Sequence, residues 1–169
     1  AIVGQKVAIA SSRPQTTRHT VRGIVTRPDA QLVLIDTPGL HRPRTLLGER
    51  LNDLVYATWA EVDVIGVCLP SDKRIGPGEV YLVAQIAKLP KRPTLVALAT
   101  KSDLVGRERM AEHLLRIASL EQTHGITWAE IVPTSALTGD QVTLVTDMLI
   151  AQLPEGPAYY PEGEATDEP

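Results

Sequence analysis

Apolar residues near the start of the chain are arranged as in two neighbouring strands. Residues 20–26 alternate between apolar and polar side chains, which is typical of a strand with one exposed face. Residues 31–35 form a continuous apolar run, which is typical of a buried strand. The segment 27–30 between them contains Pro28 and Asp29, which favour a turn. Because the connection is so short, the two strands are predicted to form an antiparallel hairpin.

Beyond the hairpin, the pattern switches repeatedly between helical spacing and buried apolar runs. Helices are predicted over 44–60, 78–89, 107–120 and 138–153, and strands over 62–69, 93–99 and 128–132. A strand that is followed each time by a helix indicates an α/β fold. We expect a mostly parallel sheet with one antiparallel edge strand and helices on both faces.

The end of the chain has a different composition from the rest. Residues 154–169 are rich in Pro, Gly and Glu, and Tyr159 and Tyr160 are the only bulky side chains that could anchor them. Such a segment is typical of a linker. We therefore predict one domain over 1–153 and a linker over 154–169, and 169 residues suit a single core.

Composition narrows the class of protein. Phe is absent, so Val, Leu, Ile and Ala must form most of the core. The single cysteine, Cys68, lies in the apolar run 64–69 and is predicted to be a buried small residue; it cannot form an internal disulfide. No apolar run approaches the roughly 18 residues that span a bilayer, and residues 1–10 lack a signal-peptide pattern. These features favour the reducing cytoplasm.

Positive charge is concentrated in the first 50 residues. Basic side chains there outnumber acidic ones by eight to three, with Lys6, Arg13, Arg18, Arg22, Arg27, Arg42, Arg44 and Arg50 against Asp29, Asp36 and Glu49. This stretch could face the phosphates of a nucleotide or of RNA, or it could be a solvated surface; charge alone does not decide.

Polar motifs follow three of the predicted strands. In open α/β sheets, ligands bind beyond the carboxyl ends of the strands. The motif residues there are Asp36, Thr37, Pro38, Gly39 and Leu40, then Thr100, Lys101, Ser102 and Asp103, then Ser135, Ala136 and Leu137. Each motif alone is a weak signal, but their order resembles that of the translation-factor class of GTPases. Together they predict a guanine-nucleotide site.

The first motif has the chemistry of a phosphate and metal site. In P-loop NTPases an aspartate at this strand end holds Mg²⁺, and we expect Asp36 to do so through water, because magnesium keeps several of its waters. Gly39 has no side chain, so its backbone N–H can approach a γ-phosphate. The alternative for Asp36 is a turn or helix-capping residue.

The second and third motifs have the chemistry of a guanine site. The Asp103 carboxylate can accept hydrogen bonds from guanine N1 and its amino group, which adenine lacks, and such a site discriminates strongly. The stem of Lys101 would lie along the base, and residues 135–137 would offer backbone N–H groups to the guanine carbonyl. Thr100 stands where these GTPases usually carry Asn, which should cost about one neutral hydrogen bond, about 0.5–1.5 kcal/mol.

A polar segment before the first strand is the candidate switch. A threonine hydroxyl here could bind Mg²⁺ when GTP is present and release it after hydrolysis. Thr17 is preferred over the adjacent Thr16, and the alternative is a plain surface loop. The predicted switch comprises Gln15, Thr16, Thr17, Arg18 and His19.

Three segments together resemble the Era family of GTPases: residues 14–19, residues 36–48 and the tail 159–169. Residues 43–47 and the tail are most similar to actinobacterial members. The resemblance implies a Ras-like P-loop GTPase fold in three layers and hydrolysis of GTP to GDP and phosphate. It implies Thr17, Asp36 and Gly39 as catalytic residues, with Thr17 and Asp36 holding Mg²⁺ and a monovalent cation as a further candidate.

The same resemblance implies partners. Era proteins bind 16S ribosomal RNA and assist maturation of the small ribosomal subunit through an RNA-binding KH domain that follows the GTPase domain. We therefore expect 16S rRNA and the small subunit as partners of a monomer. The expected location is the cytoplasm, with a peripheral association at the inner face of the cell membrane as a further expectation.

One departure from the family is the phosphate-binding loop, Gly-x-x-x-x-Gly-Lys-Ser/Thr, which these 169 residues do not contain. Era proteins carry it, after a central first strand, shortly before the segment that resembles residues 1–6. Removing a central strand leaves two strand edges unpaired, which a folded domain should not tolerate. We therefore expect that this GTP-binding domain is N-terminally incomplete here, and that 1–169 alone would be inactive.

The resemblance also bears on hydrolysis. Leu40 stands where small Ras-like GTPases carry a glutamine that orients water, and leucine cannot do so. The implied mechanism uses backbone groups and bound water for in-line attack, with slow intrinsic turnover.

Two alternatives remain open from the sequence. The first is another GTPase of the TrmE–Era class, acting in tRNA modification or as a tandem-domain ribosome GTPase; residues 40–48 argue against it. The second is a non-enzymatic interaction module, which the missing loop would favour if the protein truly lacked it.

Overall fold

A computed structural model describes residues 1–4, 20–40 and 42–165 of the chain. Five strands and four α-helices occur in the predicted order: β1 Val21–Arg27, β2 Ala30–Asp36, α1 Leu46–Glu61, β3 Val64–Cys68, α2 Pro77–Ala87, β4 Thr94–Ala99, α3 Arg107–His124, β5 Glu130–Pro133 and α4 Val142–Ala151.

Local signals explain where helices begin and end. The helix α1 begins at Leu46 because the Thr45 hydroxyl accepts a hydrogen bond of 3.1 Å from the Gly48 N–H. The helix α3 ends where Gly125 adopts a left-handed conformation, with φ of 64°. Among the helices of the described residues, none is both long and apolar enough to cross a membrane.

The predicted hairpin is confirmed. The strands β1 and β2 pair antiparallel in a register that sets Val21 opposite Asp36 and Arg27 opposite Ala30. An ion pair of 2.6 Å between Arg27 and Asp147 joins the hairpin to α4. The first motif residue, Asp36, therefore lies at the end of the hairpin that is away from the turn.

A parallel sheet of order β3-β4-β5 forms the centre of the domain. Cys68 pairs with Leu98, and Pro133 pairs with Ala99, so the three strands end almost level. The connections that leave their carboxyl ends consequently meet at one edge of the sheet, as the α/β pattern predicts.

The strands form two sheets rather than the single sheet expected from the sequence. In the described part of the chain, the hairpin and the three parallel strands are not hydrogen-bonded to each other. Among the described residues, no strand lies between the hairpin and the parallel strands to join them. The two sheets are held together by side-chain packing instead.

Two apolar clusters lie on opposite faces of the parallel sheet. One face packs against α1, α2 and α3, and its fully buried members include Val67, Ile86 and Ile117. The other face packs against α4 and the hairpin, through residues that include Leu32 and Val145. Helices on both faces give the three layers that were predicted.

Cys68 is exposed, so the prediction of a buried cysteine is wrong. It lies at the end of β3, the outer strand of the parallel sheet, where no neighbouring described strand covers it. Protein atoms that crowd the thiol, and then the negative charge of Asp36, nevertheless raise the pKa of the Cys68 thiol.

The tail returns to the hairpin. The Gln31 side-chain oxygen accepts hydrogen bonds from the N–H groups of Tyr159 and Tyr160, at 2.9 and 3.0 Å, and its amide donates to the Tyr160 carbonyl at 2.9 Å. The Ile24 N–H donates to the Ala165 carbonyl at 2.9 Å. The segment predicted as a linker thus contacts the domain through its backbone up to residue 165.

Candidate functional site

The motif after β2 combines an exposed carboxylate with an exposed glycine. Asp36 and Gly39 are exposed, while Pro38 between them is fully buried and fixes the segment against the core. Apart from Gly39 itself and its two chain neighbours, no heavy atom of the described residues lies within 4 Å of the point that a Cβ on Gly39 would occupy. The predicted role of Gly39 beside a γ-phosphate stays a prediction.

The motifs after β4 and β5 are in direct contact. The Ser135 hydroxyl donates a hydrogen bond of 2.5 Å to a carboxylate oxygen of Asp103. Ser135 is fully buried, whereas Asp103 is exposed. A fixed, buried donor thus orients a carboxylate that keeps acceptor capacity for a ligand.

Asp140 ties these two loops together. Its backbone carbonyl accepts hydrogen bonds from the Ser135 N–H at 3.0 Å and from the Thr134 hydroxyl at 2.8 Å. Its carboxylate accepts one of 3.2 Å from the Ser102 hydroxyl, and the Ser102 N–H donates to the Thr134 carbonyl at 3.1 Å. Because these bonds cross between the two loops, Asp103 and Ser135 form one preorganised unit.

The N–H groups of the third motif are used differently from the prediction. The Ser135 N–H already donates to Asp140, so it does not point to a ligand, and Ser135 contributes its hydroxyl instead. Within the described residues, no hydrogen bond engages the N–H groups of Ala136 and Leu137. These two remain the donors that could meet a carbonyl oxygen of a base.

Two residues of these loops have unusual backbone conformations. Lys101 and Gln141 have φ of 58° and 57°, in the left-handed region that non-glycine residues rarely adopt. Lys101 immediately precedes a 3₁₀ turn, Ser102–Leu104, which directs Asp103 towards Ser135. Each loop of the unit is therefore shaped by one strained residue.

Leu40 packs against the core cluster on the α1–α3 face and is partly buried. Its side chain is accordingly engaged with apolar neighbours. The expectation that Leu40 does not orient water stays a prediction.

The predicted switch lies outside the described residues. Gln15, Thr16, Thr17, Arg18 and His19 all fall within the segment 5–19, so their roles stay predictions. Within the described residues no group of three or more His, Cys, Asp or Glu side chains is placed to hold a metal ion. Asp36 offers one exposed carboxylate, which suits binding through water.

Sequence reasoning missed two contributors to this site. Asp72 forms an ion pair with Lys101, and Asp140 joins the loops, yet neither was singled out. A signal existed for Asp72, because it follows the strand β3 just as the recognised motifs follow their strands. No signal pointed to Asp140, because its role depends on the fold of both loops.

Comparison with known proteins identifies the family to which the chain belongs. The sequence profile of a family described as 50S ribosome-binding GTPase matches residues 1–101. Curated proteins named GTPase Era match the whole chain at 62% identity in Streptomyces coelicolor, 62% in Nocardioides sp. and 58% in Mycolicibacterium smegmatis. The chain covers 53–55% of them, so it spans about half the length of these relatives.

Solved structures agree in fold. Era in complex with MgGDPNP and nucleotides 1506–1542 of 16S ribosomal RNA is 30% identical, with a TM-score of 0.86 over 99% of this chain and 55% of that one. An Aquifex aeolicus Era variant bound to GDP and aluminium fluoride is 28% identical, with a TM-score of 0.85 over 99% and 56%. These neighbours confirm the predicted fold class.

Proposed function

Because the chain belongs to the 50S ribosome-binding GTPase family and corresponds to the GTPase part of an Era protein, we propose that the full-length protein binds guanine nucleotides and hydrolyses GTP to GDP and phosphate. The observation that carries this proposal is the unit formed by Asp103 and Ser135. An exposed carboxylate, oriented from behind by a buried hydroxyl, suits the two donors on one edge of guanine.

Recognition of the base follows from hydrogen-bond complementarity. The Asp103 carboxylate accepts from N1–H and from the amino group of guanine, and adenine would leave this carboxylate unpaired. The N–H groups of Ala136 and Leu137 are candidates to donate to the guanine carbonyl. The aliphatic stem of Lys101 covers one face of the base.

The phosphates belong at the Asp36–Gly39 segment. Asp36, through water, and Thr17 would hold Mg²⁺, which supplies charge neutralisation at the phosphate oxygens when bound. The Gly39 N–H donates to the γ-phosphate, and the space beside Gly39 leaves room for that approach. The exposed position of Asp36 at the end of β2 suits this role.

Hydrolysis in this scheme is an in-line attack of water on the γ-phosphate, with release of GDP. The side chain of Leu40 packs against the core and takes no part in orienting this water. Backbone groups must therefore position it, so intrinsic turnover is expected to be slow. A monovalent cation beside the phosphates is a further candidate for stabilising the charge.

The cellular role that we propose is maturation of the small ribosomal subunit through binding of 16S rRNA. An Era relative of known structure is bound to a 16S rRNA fragment, which supports this choice over a tRNA-modification role. RNA binding is assigned to the part of the protein beyond this domain. The protein would act as a monomer in the cytoplasm, with peripheral contact at the membrane.

The test is a change of base specificity in the full-length protein. Asp103→Asn replaces two acceptors by one acceptor and one donor, which fits xanthine, because xanthine carries an oxygen in place of the amino group of guanine. We expect GDP affinity to fall by about 10²-fold or more and XDP to become the tighter ligand. Binding is measured by calorimetry with GDP, XDP and ATP.

Asp29→Asn is the matched control, because Asp29 is an exposed aspartate in the hairpin turn, away from the base loops. It should bind GDP as tightly as the wild type. A wild-type protein that binds neither GDP nor GTP would point to the non-enzymatic module. A variant Asp103→Asn that still prefers GDP would refute the base-recognition assignment.

A further inference from the structure

The loop that follows β3 is fastened to the base-recognition loop. The backbone N–H and the hydroxyl of Ser71 both donate to the Thr100 carbonyl, at 2.9 and 2.8 Å. Ser71 is almost completely buried, with 1% of its surface exposed. The residue after it, Asp72, is therefore held at a fixed place beside Lys101.

Asp72 is secured from its other side as well. Arg109 of α3 donates a hydrogen bond of 2.8 Å to the Asp72 backbone carbonyl. This leaves the carboxylate to make its own contact, an ion pair of 3.2 Å between Oδ2 and the Lys101 ammonium. Among the described residues this is the only ion pair of Asp72, and its buried Oδ1 has no hydrogen-bond partner there.

Lys101 needs such a partner. Its side chain is long, half exposed and carries four rotatable bonds, so ordering it along a base costs conformational entropy. Its backbone is already fixed in the left-handed region, which sets the direction of the side chain. A carboxylate at the far end then restricts the remaining freedom before any ligand arrives.

We infer that Asp72 is a positioning residue for guanine-nucleotide binding, holding the ammonium of Lys101 so that the stem of Lys101 lies ready to cover the base. The inference rests on the proposed function. Asp72 acts through Lys101 and does not itself touch the nucleotide. Its removal should therefore shorten the residence time of the nucleotide only while Lys101 is present.

A double-mutant cycle on the full-length protein tests this, with the dissociation rate of a fluorescent GDP analogue as the readout. Asp72→Ala should speed dissociation about two- to fivefold, the range of a partly exposed ion pair. Lys101→Ala should speed it further. Adding Asp72→Ala to Lys101→Ala should change the rate less than about 1.5-fold, because the partner is already gone.

Salt gives an independent readout. The effect of Asp72→Ala should shrink in about 1 M KCl, because screening weakens exposed ion pairs. Lys73→Ala is the control, since Lys73 neighbours Asp72 in sequence but forms an ion pair of 3.1 Å with Glu79. The GDP analogue should dissociate from this variant at the wild-type rate.

The outcomes separate the two proposals. An equal effect of Asp72→Ala in both backgrounds, or a salt-independent effect, would show a merely structural role and overturn the inference. If the wild type binds GDP and rejects ATP, but Asp72→Ala leaves the dissociation rate unchanged, the inference alone is overturned. A wild type that fails to bind the analogue would overturn the proposed function together with the inference.

Discussion

Ser135→Ala is the substitution that most directly tests how the base site is built. It removes the hydroxyl that donates to Asp103 at 2.5 Å and accepts from the Thr138 N–H at 3.2 Å. Hydrogen bonds to charged groups contribute about 1.5–3 kcal/mol, and the exposure of Asp103 places this one near or below the lower end. We therefore expect Ser135→Ala to lose about 1–2 kcal/mol of GDP binding free energy, which corresponds to an affinity about 5- to 30-fold lower.

The assay is calorimetric titration of the full-length variant with GDP, accompanied by urea unfolding to verify that the variant is folded. Ser119→Ala is the matched control, because its hydroxyl donates a hydrogen bond of 2.7 Å to the Arg116 carbonyl within α3 and touches neither loop of the site. Its GDP affinity should stay within about twofold of the wild type. If Ser135→Ala, fully folded, binds GDP as tightly as the wild type, the hydroxyl does not orient the carboxylate and the account of the site is wrong.

Two further predictions concern stability and the tail. Burial raises the pKa of the Glu79 carboxyl, but hydrogen bonds from its own N–H, from Lys73 and from Gly76 outweigh burial and lower that pKa. The ionised Glu79 carboxylate therefore stabilises the fold above its ordinary pKa, and this stabilisation is lost as the pH falls through the lowered pKa. In urea unfolding, Glu79→Gln should lower the free energy of unfolding by about 0.5–1 kcal/mol at pH 7 and leave it unchanged in strong acid. An equal loss at the two pH values would contradict this. Gln31→Ala should speed hydrogen exchange of the Tyr160 amide about tenfold or more, since it removes the hydrogen bonds that hold the tail; unchanged exchange would contradict this.

The order of strands and helices was predictable because each element has its own apolar period. The hairpin and the alternation after it needed only local pattern, and their observed bounds differ by a few residues. The start of α4 was predicted too early, at 138 rather than Val142. Residues 134–141 instead form the loop around Asp140, and the hydrogen bonds of Asp140 with Ser135 and Thr134 depend on the folded site.

Position along the chain predicted that the loops carrying Asp103 and Ser135 would meet, but not the contacts between them. Position after a strand identified Asp36, Asp103 and Ser135, since parallel strands end at one edge. The hydroxyl of Ser135 as a donor to Asp103 could not be foreseen, because it requires the relative placement of two loops. The tail shows the same limit: its tyrosines suggested anchoring by rings, yet Tyr159 is 84% exposed and a glutamine from β2 holds the backbone.

The left-handed backbones of Lys101 and Gln141 have a thermodynamic consequence for the whole domain. Each of these conformations costs about 1–2 kcal/mol relative to a relaxed backbone. That is a noticeable part of the free energy of unfolding of a native domain, which is about 5–15 kcal/mol. Glycine at either position would avoid that cost, and the chain uses glycine in this way at Gly125 and Gly139. Under the proposed function, nucleotide binding to these two loops would offset that cost, since a ligand that binds only the native state stabilises it.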